Sequence, residues 1–175
     1  MVTDIFGNIG RFIFFVLLQG LILNDIGLWS GMIIPYLYIA FILMLPIETP
    51  RWLELLLGLA VGLTMDSFTN TLGIHASACV ALTFFRPLLL RAIAPRDRYE
   101  FGQRPSIQDM GVFWYFKYAG VLILVHHAWL FFMEVYSFKG FHYTLLRILL
   151  SAILTLILAI LSQYLLFSRR RNNYA

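Results

Sequence analysis

Charge is what this 175-residue chain has least of. Asp, Glu, Lys and Arg together make up 13% of it, about half of the ~25% usual in a soluble domain. Hydrophobic residues reach 61%, against roughly 45–50%. A water-soluble globule of this length must cover its surface with polar groups, and too few are present. That excludes a soluble enzyme, a disordered regulator and a nucleic-acid module. The thirteen Lys and Arg outnumber nine Asp and Glu, but they are scattered between apolar runs and form no stripe that could follow a nucleic-acid groove. Cysteine is nearly absent. Cys79 alone excludes an intrachain disulfide framework and a multi-cysteine zinc site. The first ten residues lack a basic leader, and Asn24-Asp25-Ile26 follows the first apolar run in place of a small-residue cleavage site. The first segment is therefore expected to be an uncleaved anchor. What is left is a chain that belongs in a membrane.

The apolar runs set its organisation. A helix needs about 20 residues to cross ~30 Å of hydrocarbon, so this length holds about six spans in one compact all-α bundle. Their expected positions are residues 12–28, 31–45, 52–68, 72–90, 112–134 and 144–167. The second and third are short, which suggests kinked or partly embedded segments and leaves open five full spans plus one short helix. Pro46-Ile47-Glu48-Thr49-Pro50 reads as a tight hairpin with Thr49 as N-cap and Pro50 in the first helical position. Ser106 followed by Asp109 resembles a capping box opening the fifth span. Residues 94–108 form a polar basic loop and 168–175 a basic tail. With both termini on the cytoplasmic side, Arg11, Arg51, Arg91, Arg96, Arg98, Arg104, Lys117 and Arg169 to Arg171 fall on that side. Only Lys139 and Arg147 fall on the other. The positive-inside rule selects this orientation.

Intramembrane catalysis needs ionisable groups that are costly to bury in lipid. The chain has no Gly-x-Ser-x-Gly turn, no His-Glu-x-x-His pair and no repeated Asp cluster for divalent metals. An enzyme is not expected. His75 and Cys79, four apart, share a helical face and could supply half of a metal site completed by His126, His127 or His142. The plainer reading, which is preferred, is an interfacial histidine and a buried thiol, and no metal or cofactor is expected. Asp66, followed by Ser67, Thr69, Asn70 and Thr71, reads either as a carboxylate tying the turn after the third span or as a transport or relay group. Gly58 and Gly62 form a Gly-x-x-x-Gly pair that lets helix backbones approach closely, within the bundle or against a partner's helix. Ser77 with Ala81, and Ser151 with Thr155 and Ala159, repeat that spacing. Arg86-Pro87 is expected to kink or weaken the fourth span, with Arg86 snorkelling to the cytoplasmic face. The triple arginine near the end fits an anchor on anionic lipid.

The order of these features resembles MreD, the small integral membrane subunit of the bacterial rod-shape system. The likeness rests on Leu17-Leu18-Gln19, on Pro35 and Pro46 around a short second span, and on Gly58, Gly62, Asp66 and Gly73 followed by His75. Its most specific stretch is GLAVGLTMDSFTNTLGIHASA, residues 58–78. The resemblance covers residues 11–91; beyond them the likeness is only apolar spans and a basic tail. It implies a non-catalytic scaffold of the bacterial cytoplasmic membrane. Its partners would be the bitopic MreC and, in the same assembly, filament-forming MreB, a RodA-type glycosyltransferase and a penicillin-binding transpeptidase. Gly58, Gly62, Asp66 and Gly73 would then serve helix packing or partner docking, and Arg96, Arg98 and Arg104 would contact cytoplasmic partners. MreD proteins look like the substrate-binding subunits of energy-coupling-factor vitamin transporters, which supply the alternative reading. Such subunits carry an Ala-x-x-x-Ala pattern in the first span, absent here. They also need an outer pocket, to which Asp66, Asn70, Trp129 and Glu134 could contribute.

Overall fold

A computed structural model of the chain describes residues 2–29, 31–135 and 140–166. The regular structure is helical. Helix α1 covers Val2–Leu21 and ends in a 3-10 turn over Leu23–Asp25. A second 3-10 turn, Leu37–Ile39, runs into the one-turn helix α2, Ala40–Leu43. Helices α3 (Arg51–Thr69) and α4 (Ile74–Ala92) follow. After a loop come the short α5 (Ile107–Met110) and the long α6 (Val112–Val135) and α7 (Phe141–Leu166). Among the described residues, five helices are long and apolar enough to cross a membrane: residues Phe6–Asp25, Arg51–Thr69, Ile74–Ala92, Val112–Val135 and Phe141–Leu165.

The expected second span takes a different form. Residues 31–45 are helical only over the last seven before Met44, about 12 Å of rise. Every residue from 35 to 45 is buried. A lipid-facing helix shows one side to the acyl chains; this segment shows none, because the five long helices surround it. Helix α1 also begins earlier than residue 12, since a helix can extend past the apolar stretch that crosses lipid. The basic tail and Phe167 lie outside the described residues, as does Lys139.

Helices α3 and α4 form the most extensive pair, followed by α6 with α7 and α4 with α6. Lipid gives helices no hydrophobic reason to associate, so backbone proximity matters. A Cβ on Gly62 would lie 2.3 Å from Ala76 Cα, and one on Gly58 2.7 Å from Thr83 Cγ2. The Gly-x-x-x-Gly face is therefore filled by α4 of the same chain and is not free for a partner's helix. The α3–α4 turn is made by Asn70 and Gly73, both left-handed (φ 53° and 83°). Glycine takes that conformation without steric cost, and at Gly73 no neighbour demands a small residue.

Several local expectations are revised. Thr49 does not cap α3: Pro50 holds that position, and Thr49 Oγ1 donates to Pro46 O at 2.7 Å. Ser106 Oγ does accept from Asp109 N at 3.2 Å, but it opens the separate α5. The carboxylate of Asp109 accepts from Arg104 N instead of closing the box. Helix α4 continues through Pro87.

The bundle has two distinct ends. Gly102 N donates to Glu48 Oε1 (2.7 Å), Tyr99 OH to Leu90 O (2.7 Å) and Trp114 Nε1 to Ile93 O (3.2 Å). These bonds gather the 46–50 hairpin, the basic loop and the start of α6 at one end. Burial pushes the Tyr99 phenol above its ordinary value. The opposite end holds residues 22–33 and the α3–α4 turn.

Candidate functional site

The buried segment poses a backbone problem. Outside regular helix its N–H and C=O groups have no partners of their own, and each one left unpaired away from water costs free energy. The surrounding helices supply the partners. Gln19 on α1 works in both directions: its Nε2 donates to Pro35 O (2.9 Å), and its Oε1 accepts from Leu37 N (2.7 Å). On α7, Ser151 Oγ accepts from Ile34 N and Thr155 Oγ1 from Tyr36 N, each at 3.1 Å. The small residues of α7 thus receive this segment.

At the far end the carbonyls are held instead. Arg86, on α4, is fully buried. Its Nη2 donates to Leu45 O and its Nε to Tyr118 OH at 2.7 Å. Its Nη1 forms an ion pair with Glu54 on α3, itself 1% exposed. Tyr118 OH donates onward to Leu43 O at 3.1 Å. Snorkelling was the expectation for Arg86. The structure turns the guanidinium inward, where a carboxylate, a phenol and a main-chain carbonyl use its fork of donors.

Between the two ends lies a histidine cluster. Tyr38 OH lies 2.9 Å from His75 Nδ1 and 2.8 Å from His126 Nε2. One hydroxyl has one proton, so it donates to one ring and accepts from the other. His126 Nδ1 has no hydrogen-bond partner among the described residues. A lone acceptor is the milder orphan, which favours the proton on His126 Nε2 and donation by Tyr38 to His75. His127 points elsewhere, as adjacent helical residues must. Its Nδ1 donates to Ile123 O (2.9 Å) and its Nε2 accepts from Thr155 Oγ1 (3.1 Å). Cys79 Sγ is 4.0 Å from His126 Nε2. Among the described residues no group of three His, Cys, Asp or Glu is placed to hold a metal ion.

Asp66 lies in the last turn of α3 and caps α4. Its Oδ1 accepts from His75 N and its Oδ2 from Ala76 N, both at 3.0 Å, and Thr71 Oγ1 donates to the same carboxylate. A carboxylate accepting first-turn amides also opposes the positive end of the helix dipole. Asp66→Asn keeps one acceptor oxygen and aims an amide N–H₂ toward the second amide. It is expected to cost about 1–3 kcal/mol, read as faster hydrogen exchange at His75 and Ala76. Unchanged protection would mean the cap contributes nothing.

The structure brings Gly58, Gly62, Asp66 and Gly73 together along the α3–α4 contact and its turn. It leaves Arg96 and Arg98 exposed and Arg104 partly covered on the basic loop, which follows α4 at the end away from the α3–α4 turn. Sequence reasoning gave no structural role to Gln19, Tyr38, Glu54 or Tyr118. Glu54, an acidic residue inside an apolar helix, was the available signal for a buried cation. At the end opposite the loop, a cavity of about 790 Å³ is lined by Trp29, Met32, His142, Tyr143 and Arg147. Arg147 pairs with Glu134 at 3.1 Å beside it. Asp66, Asn70 and Trp129, expected at an outer pocket, do not line this one. Trp129 Nε1 donates instead to Ser77 Oγ at 3.2 Å. Comparison with protein-family models, with curated proteins and with solved structures returns no match.

Proposed function

We propose that the protein is a non-catalytic scaffold subunit of the MreD type in a bacterial cytoplasmic membrane, with both termini on the cytoplasmic side. In this reading it binds MreC and helps organise sidewall peptidoglycan synthesis beside MreB, a RodA-type glycosyltransferase and a penicillin-binding transpeptidase. The supporting observation is the use of the buried polar side chains. Gln19, Glu54, Asp66, Arg86, Tyr118, Ser151 and Thr155 are engaged in holding the chain's own backbone or one another. A bundle that commits its costly intramembrane polar groups to its own rigidity suits a platform for other proteins. Depletion in the native bacterium should turn rods into spheres, and affinity purification should recover a bitopic coiled-coil protein. Persisting rods together with no such recovery would refute the reading.

The basic loop is the candidate cytoplasmic contact. Neutralising Arg96, Arg98 and Arg104 together should reduce recovery of the complex while leaving the melting temperature of the isolated bundle unchanged. Full recovery would sink this role.

The second reading, a substrate-binding subunit of an energy-coupling-factor transporter with six spans, draws on the 790 Å³ cavity. Its size lies in the range of small-molecule sites, and Trp29 and Tyr143 at its rim offer aromatic surface. Vitamin-dependent growth of depleted cells that keep their rod shape would favour it.

A further inference from the structure

A groove of about 390 Å³ runs between α6 and α7 on the outside of the bundle, lined by Phe116, Lys117, Gly120, Leu124, Ala152 and Leu156 among others. Apart from Lys117 the lining is apolar. From Lys117 to Leu124 it follows α6 for about 10 Å.

Gly120 keeps the groove open without being needed inside the chain. A Cβ there would meet only Leu156 Cδ2, at 3.8 Å, an ordinary contact. Gly58 and Gly62 differ, since backbone or buried atoms already fill the space beside them. A helical glycine costs up to about 1 kcal/mol relative to alanine, and an unfilled groove leaves its walls without contact partners. Something from outside the chain completes the packing.

Lys117 indicates what that is. Its side chain is exposed, and its ammonium lies 4.5 Å from the centre of the Phe113 ring. Phe113 is one turn nearer the start of α6, so the charge is drawn back toward the basic end of the bundle. Helical side chains lean toward the N-terminus, and lysine snorkels to the headgroup level. No carboxylate of the described residues forms an ion pair with it, and the N-terminal end of the 24-residue α6 adds positive potential of its own. An apolar trough that opens beside an ammonium with no carboxylate partner among the described residues complements an acyl chain ending in an anion. A partner's helix would have to bury a carboxylate at the headgroup level, where lipid supplies a phosphate already. We infer that this groove is a binding site for an anionic phospholipid, with one acyl chain against Gly120 and the phosphate on Lys117.

The test is native mass spectrometry of the delipidated full chain in detergent. Phosphatidylglycerol and phosphatidylcholine with identical acyl chains are supplied in equal amounts. The wild-type chain should retain phosphatidylglycerol in preference by roughly fivefold, which corresponds to about 1 kcal/mol for one lysine–headgroup contact. Lys117→Gln should remove the preference and Lys117→Arg preserve it. Gly120→Leu should lower retention of both lipids. Lys117 is exposed and Gly120 borders the outer groove, so all variants should elute as the wild type does, the lysine variants should melt with it, and Gly120→Leu, which removes a helical glycine, should melt no lower. Equal retention of the two lipids by the wild type, or a preference that survives Lys117→Gln, would overturn the assignment. So would a photo-cross-link from position 120 that captures protein in place of lipid in native membranes.

Discussion

Replacing Arg86 by methionine is expected to destabilise the bundle by about 3–5 kcal/mol, the cost of removing one partner from a buried ion pair. Two losses combine. Glu54 loses its cation in a site that is 1% exposed, and the carbonyl of Leu45 loses the donor that closes the buried segment. In a chain of this length the melting temperature in detergent should fall on the order of 10 °C. A double substitution separates the two terms. Glu54→Leu with Arg86→Met removes both charges and leaves only the unpaired backbone. It should be more stable than Arg86→Met alone, because a charge pair exchanged for well-packed apolar groups is often close to neutral. If the double variant is destabilised by the sum of the single effects, Glu54 and Arg86 do not act as a pair and the account of this end of the segment fails.

The buried segment shows where sequence and structure part. Helices α3, α4, α6 and α7 fall within a few residues of the expected spans, because lipid demands apolar side chains over the whole length of a crossing. That demand does not distinguish lipid from protein as the apolar neighbour. Residues 35–45 are as hydrophobic as a span, yet their surroundings are five helices. Proline at 35 and 46 and the shortness of the run were the legible hints.

The polar partners were harder to read, because each is recognised only by what it meets. Ser151 and Thr155 looked like small residues in a packing stripe; their hydroxyls became acceptors only once Ile34 and Tyr36 were set beside α7. Arg86 beside Pro87 suggested a snorkelling side chain because its partner, Glu54, lies on a different helix and the pairing of α3 with α4 had first to be known. Asp66 was more accessible. The run of Ser, Thr and Asn after it marked a helix end, and a carboxylate at the joint between two helices has amides to accept from. Which amides they are could not be seen until Gly73 turned the chain into α4.

The glycine pair was the most legible feature, and it permits the sharpest ranking of substitutions. At Gly62 an added Cβ would sit 2.3 Å from Ala76 Cα and 2.7 Å from both Ala76 N and His75 O. These are backbone atoms of the first turn of α4, pinned by Asp66, so neither side can yield by rotating a side chain. At Gly58 the first obstacle is the Thr83 side chain, with Cys79 O at 3.2 Å. Relief there requires Thr83 to give up its bond to a carbonyl of its own helix. Gly120 meets only a leucine methyl at ordinary distance. Alanine substitution should therefore be most damaging at position 62, intermediate at 58 and harmless at 120. Overpacking usually costs about 1–3 kcal/mol, and the backbone clash places Gly62→Ala at or above the top of that range. Gly62→Val should prevent recovery of a monodisperse protein. Because α4 also presents His75 and Arg86, separating it from α3 should release the buried segment as well, and amides of residues 37–43 should exchange faster in Gly62→Ala than in Gly58→Ala. Equal melting temperatures for the three alanine variants would show that α3 and α4 are not held at this crossing.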